Sequence, residues 1–238
     1  MKKLFRKTAT IITLITMLLL ASISSEAATK YNSGNWTYTI NNNVATITGY
    51  KGSESNITLP TSLGGYPVKH VGYSSFKDNI SISSVVIPEG IETIGDYAFL
   101  NCSYLETVKI PKSIKNIGTG SYSGGCFENC IRLETVTLTE GGAEEAEIHP
   151  GVFKKCTALK SIVIPANYKN TGNSAFEGCT SLKTVVIKGN SDKYFERTVD
   201  YASFKDCNSI LSVEIPEGFT TIGDYAFLNC SYLETVKI

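Results

Sequence analysis

Phe99-Leu100-Asn101-Cys102-Ser103-Tyr104-Leu105-Glu106-Thr107-Val108-Lys109-Ile110-Pro111 decides the fold, because its apolar residues return at fixed phases along the chain. A Phe recurs at 76, 99, 127, 153, 176, 204 and 227. Three residues after it stands Cys102, Cys130, Cys156, Cys179, Cys207 or Cys230, and once Asn79. Six after it comes Ile82, Leu105, Leu133, Leu159, Leu182, Ile210 or Leu233, and nine after it a β-prone triplet begins. The triplets start at Ile57, Val85, Val108, Val136, Ile162, Val185, Val213 and Val236, at spacings of 28, 23, 28, 26, 23, 28 and 23 residues. All the unevenness falls upstream of the Phe, so the segment from Phe to strand is what the fold holds rigid.

Working outward, residues 73–110 match 201–238 at 31 of 38 positions, which marks a duplication. A fixed period with the same apolar types at the same phases means that each unit stacks on a copy of itself, Phe over Phe and Leu over Leu. That is a solenoid. Stacked triplets would pair as parallel strands about 4.8 Å apart, and eight of them make a sheet of about 34 Å. Pro60, Pro88, Pro111, Pro165 and Pro216 follow triplets and end the pairing, since proline has no N–H to donate. Gly95, Gly118, Gly172 and Gly223 are expected to turn the chain at the opposite edge. Ala98 to Cys102 leaves room for one helical turn. Trp36, Tyr38 and Ile40 alternate, Asn41-Asn42-Asn43 can turn, and Val44 to Tyr50 is β-prone again, which predicts a hairpin covering the first unit.

The frame Val-x-Ile-Pro, x-x-Ile-x-x-Ile-Gly-x-x-Ala-Phe, x-x-Cys-x-x-Leu resembles the BspA-type leucine-rich repeat, and Ile47-Thr48-Gly49-Tyr50 with Gly65-Tyr66-Pro67-Val68 is similar to that family's N-terminal cap. The expected fold is therefore a leucine-rich-repeat solenoid, mostly β, with short parallel strands, one-turn helical segments and an N-terminal β-hairpin cap. The resemblance implies a secreted or surface protein that binds host or microbial partners, and adhesion in place of catalysis. Thr139 and Lys188 depart from the frame at Pro positions, and His149 and Asp200 at Gly positions.

Residues 1–27 read as a secretory signal peptide: Lys2, Lys3, Arg6 and Lys7 precede an apolar run of about 15 residues, and Ser25-Glu26-Ala27 offers small residues for cleavage. The run is shorter than the ~20 residues of a spanning helix, so no stable membrane insertion is expected after cleavage. Residues 28–56 form the expected β cap, and 57–238 a solenoid of about seven units. The whole chain balances 22 Lys and Arg against 22 Asp and Glu, which removes the basic excess of a nucleic-acid binder. Residues 28–238 carry 18 basic and 21 acidic groups, a net charge of −3. The chain stops at Val236-Lys237-Ile238, directly after a strand. From this we expect the native protein to continue past Ile238, and the chain as given to fray or self-associate there.

Seven Cys invite a disulfide framework, but six share one phase, and stacked neighbours hold their Cα–Cβ vectors parallel where a disulfide needs them to converge. A buried column of free thiols is expected instead. Cys126 and Cys130 have no His or second Cys pair beside them, so no metal and no cofactor is expected. Gly118 to Gly125 lacks the Lys-Ser/Thr ending of a phosphate loop, and reads as a flexible insertion. His70 and His149 stand in different units with no nucleophile elbow near, so a catalytic triad has no support and no enzyme activity is expected. Glu140, Glu144, Glu145 and Glu147 read as a solvated acidic loop.

A hydroxyl precedes each triplet after the first: Ser84, Thr107, Thr135, Ser161, Thr184, Ser212 and Thr235. Two residues on, the outward position varies through Val86, Lys109, Thr137, Val163, Val186, Glu214 and Lys237. Strand alternation puts both columns on one exposed face. One reading is a recognition surface with Lys109, Thr137, Val163, Val186 and Glu214 as ligand-binding residues; the other is that Ser and Thr simply suit an exposed strand. Tyr122, Tyr194, Phe195 and Arg197 in the insertions add candidate binding anchors. The function expected is a secreted or cell-surface, adhesin-like module for an extracellular protein or glycan, the alternative being a structural spacer in a larger envelope protein.

Overall fold

The computed structural model describes residues 28–120, 124–142, 145–189 and 196–238. The predicted signal peptide lies outside them. Eight strands form one long parallel sheet: β4 (Asn56–Thr58), β7 (Ser84–Val86), β9 (Thr107–Ile110), β11 (Thr135–Leu138), β13 (Ser161–Ile164), β14 (Thr184–Ile187), β16 (Ser212–Glu214) and β18 (Thr235–Lys237), side by side in that order. Each begins at the residue before its predicted triplet, and in the register Thr135 faces Thr107 on one side and Ser161 on the other.

The expected Phe column is present. Ring centroids follow one another at 4.7, 5.0, 5.4, 5.4, 5.2 and 5.6 Å from Phe76 to Phe227, with interplanar angles of 3, 2, 10, 18, 6 and 5°. Burying one such ring is worth about 1.5–3 kcal/mol. The backbone follows the rings: Phe76 N–H donates to Ala98 O at 2.7 Å, Phe99 N–H to Cys126 O at 2.7 Å, and so on to Phe204 and Ala226 at 2.9 Å.

The one-turn helical segments are replaced by hydrogen-bonded turns. Leu100 N–H reaches Tyr97 O and Cys102 N–H reaches Phe99 O, both at 3.1 Å, but Tyr97 (φ 57°) and Asn101 (φ 59°) are left-handed, so no helical path can pass. The residue two after each Phe is left-handed in every unit: Asp78, Asn101, Asn129, Lys155, Gly178, Asp206 and Asn229. Asp, Asn and Gly tolerate this best. Asn101 also donates its side-chain amide to Asp78 Oδ1 at 2.7 Å, and Asn229 to Asp206 Oδ1 at 2.6 Å.

The triplet periodicity did not predict a second sheet. β8 (Thr93–Ile94), β10 (Asn116–Ile117) and β12 (Glu147–Ile148) pair in parallel on the far side of the Phe column, and β15 (Arg197–Val199) with β17 (Phe219–Ile222) pair separately. At this edge Gly95 acts through space, not through turning: a Cβ there would lie 3.0 Å from Val71 O and from the Gly72–Tyr73 backbone. Lys69, Glu92 and Lys115 form an ion-paired row across it, at 3.1 and 2.8 Å, which holds the Glu92 carboxyl below its usual range, Lys115 contributing most.

The cap is larger than a hairpin. β1 (Lys30–Ser33), β2 (Trp36–Asn41) and β3 (Val44–Tyr50) form an antiparallel meander that turns at Asn42 and Asn43, both left-handed. β6 (Tyr66–Val71), itself folded back on β5 (Ser62–Leu63), pairs in parallel with both β3 and β8, so cap and second sheet are continuous. Trp36 and Tyr50 lie 6.3 and 6.1 Å from the Phe76 ring and continue the aromatic column into the cap.

Candidate functional site

On the long sheet each strand points one side chain in and the next out, so Val108 and Ile110 are buried while Thr107 and Lys109 are exposed. Lys109, Thr137, Val163, Val186 and Glu214 all stand on that outer face. Lys109 is in register with Thr137, Val163 with Val186, and Val186 with Glu214. Val163 and Val186 are 41% and 42% exposed, so two apolar side chains lie adjacent in water.

Ion pairs between neighbouring units edge this face. Arg132 reaches Glu106 at 2.8 Å and lies 5.2 Å over the Tyr104 ring; Lys160 meets Glu134 at 2.5 Å and Lys237 meets Glu214 at 2.6 Å. One phase before the hydroxyl column the chain reads Glu106, Glu134, Lys160, Lys183, Leu211. Between β14 and β16 the face sinks into a shallow groove of about 480 Å³, lined by Lys183, Thr184, Val186, Leu211, Glu214 and Pro216 among others. Lys183 and Leu211 were missed at the sequence level. The signal was available: Leu211 stands where the first copy of the duplication has Ser83, and Glu214 where it has Val86.

The insertion residues do not join this surface. Tyr122, Tyr194 and Phe195 lie outside the described residues. Arg197 is a correction: it is 1% exposed, its guanidinium donating to Tyr168 O at 3.1 Å, Lys188 O at 2.6 Å and Pro165 O at 3.5 Å, 4.4 Å over the Phe219 ring. A bulge between Arg197 and Thr198 turns it inward, where it satisfies carbonyls that would otherwise be buried without donors. Its place is in the core, not at a ligand.

The Gly118 insertion is anchored at its start: Thr119 donates its N–H to Asp96 Oδ1 at 2.8 Å and its hydroxyl to Asp96 Oδ2, while Gly118 (φ 88°) and Gly120 (φ 69°) pack against the His149 ring. Of the acidic cluster, Glu140 pairs with Lys188 at 2.6 Å and Glu147 with Lys169, with His149 Nε2 3.5 Å from Glu147 Oε2, while Glu144 lies outside the described residues.

All seven Cys are free and buried. The six in phase donate their thiol hydrogen to the carbonyl of a neighbouring unit's Phe, from Cys102 on Phe76 O at 3.1 Å to Cys230 on Phe204 O at 3.2 Å. The column is thus a weak hydrogen-bond ladder as well as packing. Burial pushes the Cys102 and Cys230 thiols up to about 12. Among the described residues no cluster of three or more His, Cys, Asp or Glu is placed to hold a metal ion, and no helix is long and apolar enough to cross a membrane.

A stacked parallel solenoid with a capped N-terminal end and one regular exposed face defines a leucine-rich-repeat protein. The family model described as "BspA type Leucine rich repeat region (6 copies)" matches residues 21–141, 69–198 and 120–238, so the chain belongs to the BspA-type leucine-rich-repeat family. Its fold is similar to a leucine-rich cell-surface protein of Faecalibacterium prausnitzii, with TM-score 0.74, 29% identity, and 90% of this chain matched to 55% of that one. A leucine-rich-repeat protein of Bacteroides ovatus gives TM-score 0.67 and 27% identity over 87% of this chain and 53% of that one. The leucine-rich-repeat protein of T. pallidum, 21% identical over 87% of this chain and 91% of its own, shares the fold at TM-score 0.70. The chain thus spans about half the length of the first and second of these. No curated protein is significantly similar to it.

Proposed function

We propose that the chain is a secreted, surface-displayed binding module that recognises an extracellular protein or glycan, in the manner of an adhesin, through the outer face of its long parallel sheet. The observation that carries this reading is the contrast within each strand: the inward positions hold Val, Ile or, at 138, Leu, whereas the outward column runs Val, Lys, Thr, Val, Val, Glu from strand to strand. An invariant scaffold under a varying surface is the arrangement by which repeat proteins present extended binding faces. The cell-surface relative from Faecalibacterium prausnitzii supports the address.

The test is capture of proteins and glycans from host or microbial surface extracts by residues 28–238. Substituting Lys109, Thr137 and Glu214 together by Ala is expected to lower capture at least tenfold while leaving the melting temperature within a few degrees, since all three are exposed. Unchanged capture rejects the sheet face as the binding surface. Secretion is tested separately by the mature N-terminus, which is expected to begin at Ala28.

A further inference from the structure

The groove between β14 and β16 differs from the rest of the outer face, and its chemistry selects an occupant. Lys183 and Leu211 stand side by side, just before the paired Thr184 and Ser212, and line the groove together with Val186 and Pro216. Leu211 is 52% exposed and lines the groove together with Val186, the partner in register of Val163. Lys183 differs from Lys160, its neighbour along the same column. Lys160 is neutralised by Glu134, but Lys183 has no carboxylate within ion-pair distance among the described residues, and the position beside it in the next unit is Leu211. The groove's own acid, Glu214, is paired with Lys237 at 2.6 Å. What stays uncompensated is one ammonium beside the apolar residues of the groove.

The duplication isolates this feature. Seven positions differ between residues 73–110 and 201–238, and two of the seven, Ser83 against Leu211 and Val86 against Glu214, fall on the outer face at this groove. In the first copy the corresponding edge is Ser83, and the Lys183 phase of the unit before it carries Ser55, so no lysine stands beside it.

Taking the outer face as the recognition surface, we propose that this groove docks a protein segment in which a large apolar side chain stands next to a carboxylate: the apolar group lies on Val186 and Leu211, and the carboxylate pairs with Lys183. Sheet backbone is not the reader, since the strand groups of β14 are spent on β13 and β16. Recognition is by side chains, which separates this mode from strand addition. A sugar is disfavoured as occupant because none of the lining residues offers an aromatic ring for it to stack on.

The test is panning of a random twelve-residue phage-displayed peptide library on immobilised residues 28–238, followed by binding of the enriched peptides to Lys183→Gln, Leu211→Ser and Lys109→Gln variants. The expected result is enrichment of peptides with an apolar residue adjacent to Asp or Glu. Their affinity should fall roughly tenfold in Lys183→Gln, as for loss of a charged partner, and at least as far in Leu211→Ser, while Lys109→Gln, three strands away on the same face, lowers it less than either. Both groove positions are exposed, so unchanged melting curves are expected and confirm folding. Failure to enrich, enrichment of peptides without acids, or affinities unchanged by both groove variants overturns the proposal. If the enriched peptides respond to Lys109→Gln alone, the groove is wrong while the sheet face survives as the binding surface. If no peptide enriches but a glycan array shows binding that Leu211→Ser removes, the occupant is a sugar and the proposal is overturned.

Discussion

Residues 94–110 and 222–238 are the same seventeen amino acids in the same order, and they live in different surroundings. Their local structures coincide. Tyr97 and Tyr225 have φ of 57° and 60°, Asn101 and Asn229 of 59° and 61°. The edge-on ring pairs Tyr73–Tyr97 and Tyr201–Tyr225 measure 5.5 and 5.6 Å. Burial does not coincide: Val108 and Ile110 are 2% and 0% exposed, Val236 and Ile238 41% and 87%. A unit's conformation therefore comes from its own residues and the unit before it, through bonds such as Cys to the preceding Phe carbonyl. Its burial comes from the unit after it. Stability in such a stack is a sum of unit and interface terms, and identical sequence contributes differently at different positions.

The sharpest way to break this comparison is at the Phe column. Phe99 is stacked on both sides, by Phe76 and Phe127, whereas Phe227 stacks on Phe204 and is only partly buried. Phe99→Ala is expected to cost about 3–5 kcal/mol and Phe227→Ala roughly half of that. Urea unfolding followed by circular dichroism measures both, and equal losses would show that the following unit adds nothing to the ring's contribution.

A smaller effect separates Asp96 from Asp224. Asp96 is 3% exposed and caps the Thr119 N–H and hydroxyl of the next unit; Asp224 is exposed. Asp96→Ala removes those two inter-unit hydrogen bonds and is expected to cost about 1–3 kcal/mol, while Asp224→Ala stays within about 0.5 kcal/mol. The same urea series reads the difference, and a comparable loss at Asp224 would sink the assignment of Asp96 as an inter-unit cap.

How much was legible follows from the same distinction. The Phe, Cys, Leu and strand phases were readable because each repeats a contact with its own copy at fixed spacing, and so was the outer column, because buried and exposed positions alternate in every strand of the long sheet but the last. The second sheet was not: Thr93–Ile94 and Asn116–Ile117 are two-residue strands, too short to show a period, and their spacing is blurred by the insertions. Arg197 was misplaced because its partners are backbone carbonyls at residues 165, 168 and 188, which no side-chain pattern announces. The groove depends on the relative sizes of Lys183, Val186, Leu211 and Pro216 on two strands, and only the register between those strands brings them together. The candidate site was thus legible as a face and not as a cavity.

The finest probe of the comparison is chemical, at Cys102 and Cys230. Burial raises both thiols to about 12, so at pH 8 both are almost entirely protonated, and the order of labelling is expected to follow access. Cys102 is 0% exposed and Cys230 9%. With iodoacetamide at pH 8, mapped by mass spectrometry over time, Cys230 is expected to be labelled first and the other five column thiols only as units open. Because the folded-state values lie above the unfolded thiol value of 9.0, the thiols' contribution to stability is complete below pH 9 and is lost as pH rises through 12. Labelling should therefore accelerate with pH faster than thiolate formation alone, about tenfold per unit, once the stack begins to loosen above pH 9. Denatured without reductant, the chain should titrate close to seven thiols, as seven free cysteines require. Simultaneous labelling of Cys102 and Cys230 in the native state would show that the following unit does not gate access, and would remove the distinction between the two copies at its most sensitive point.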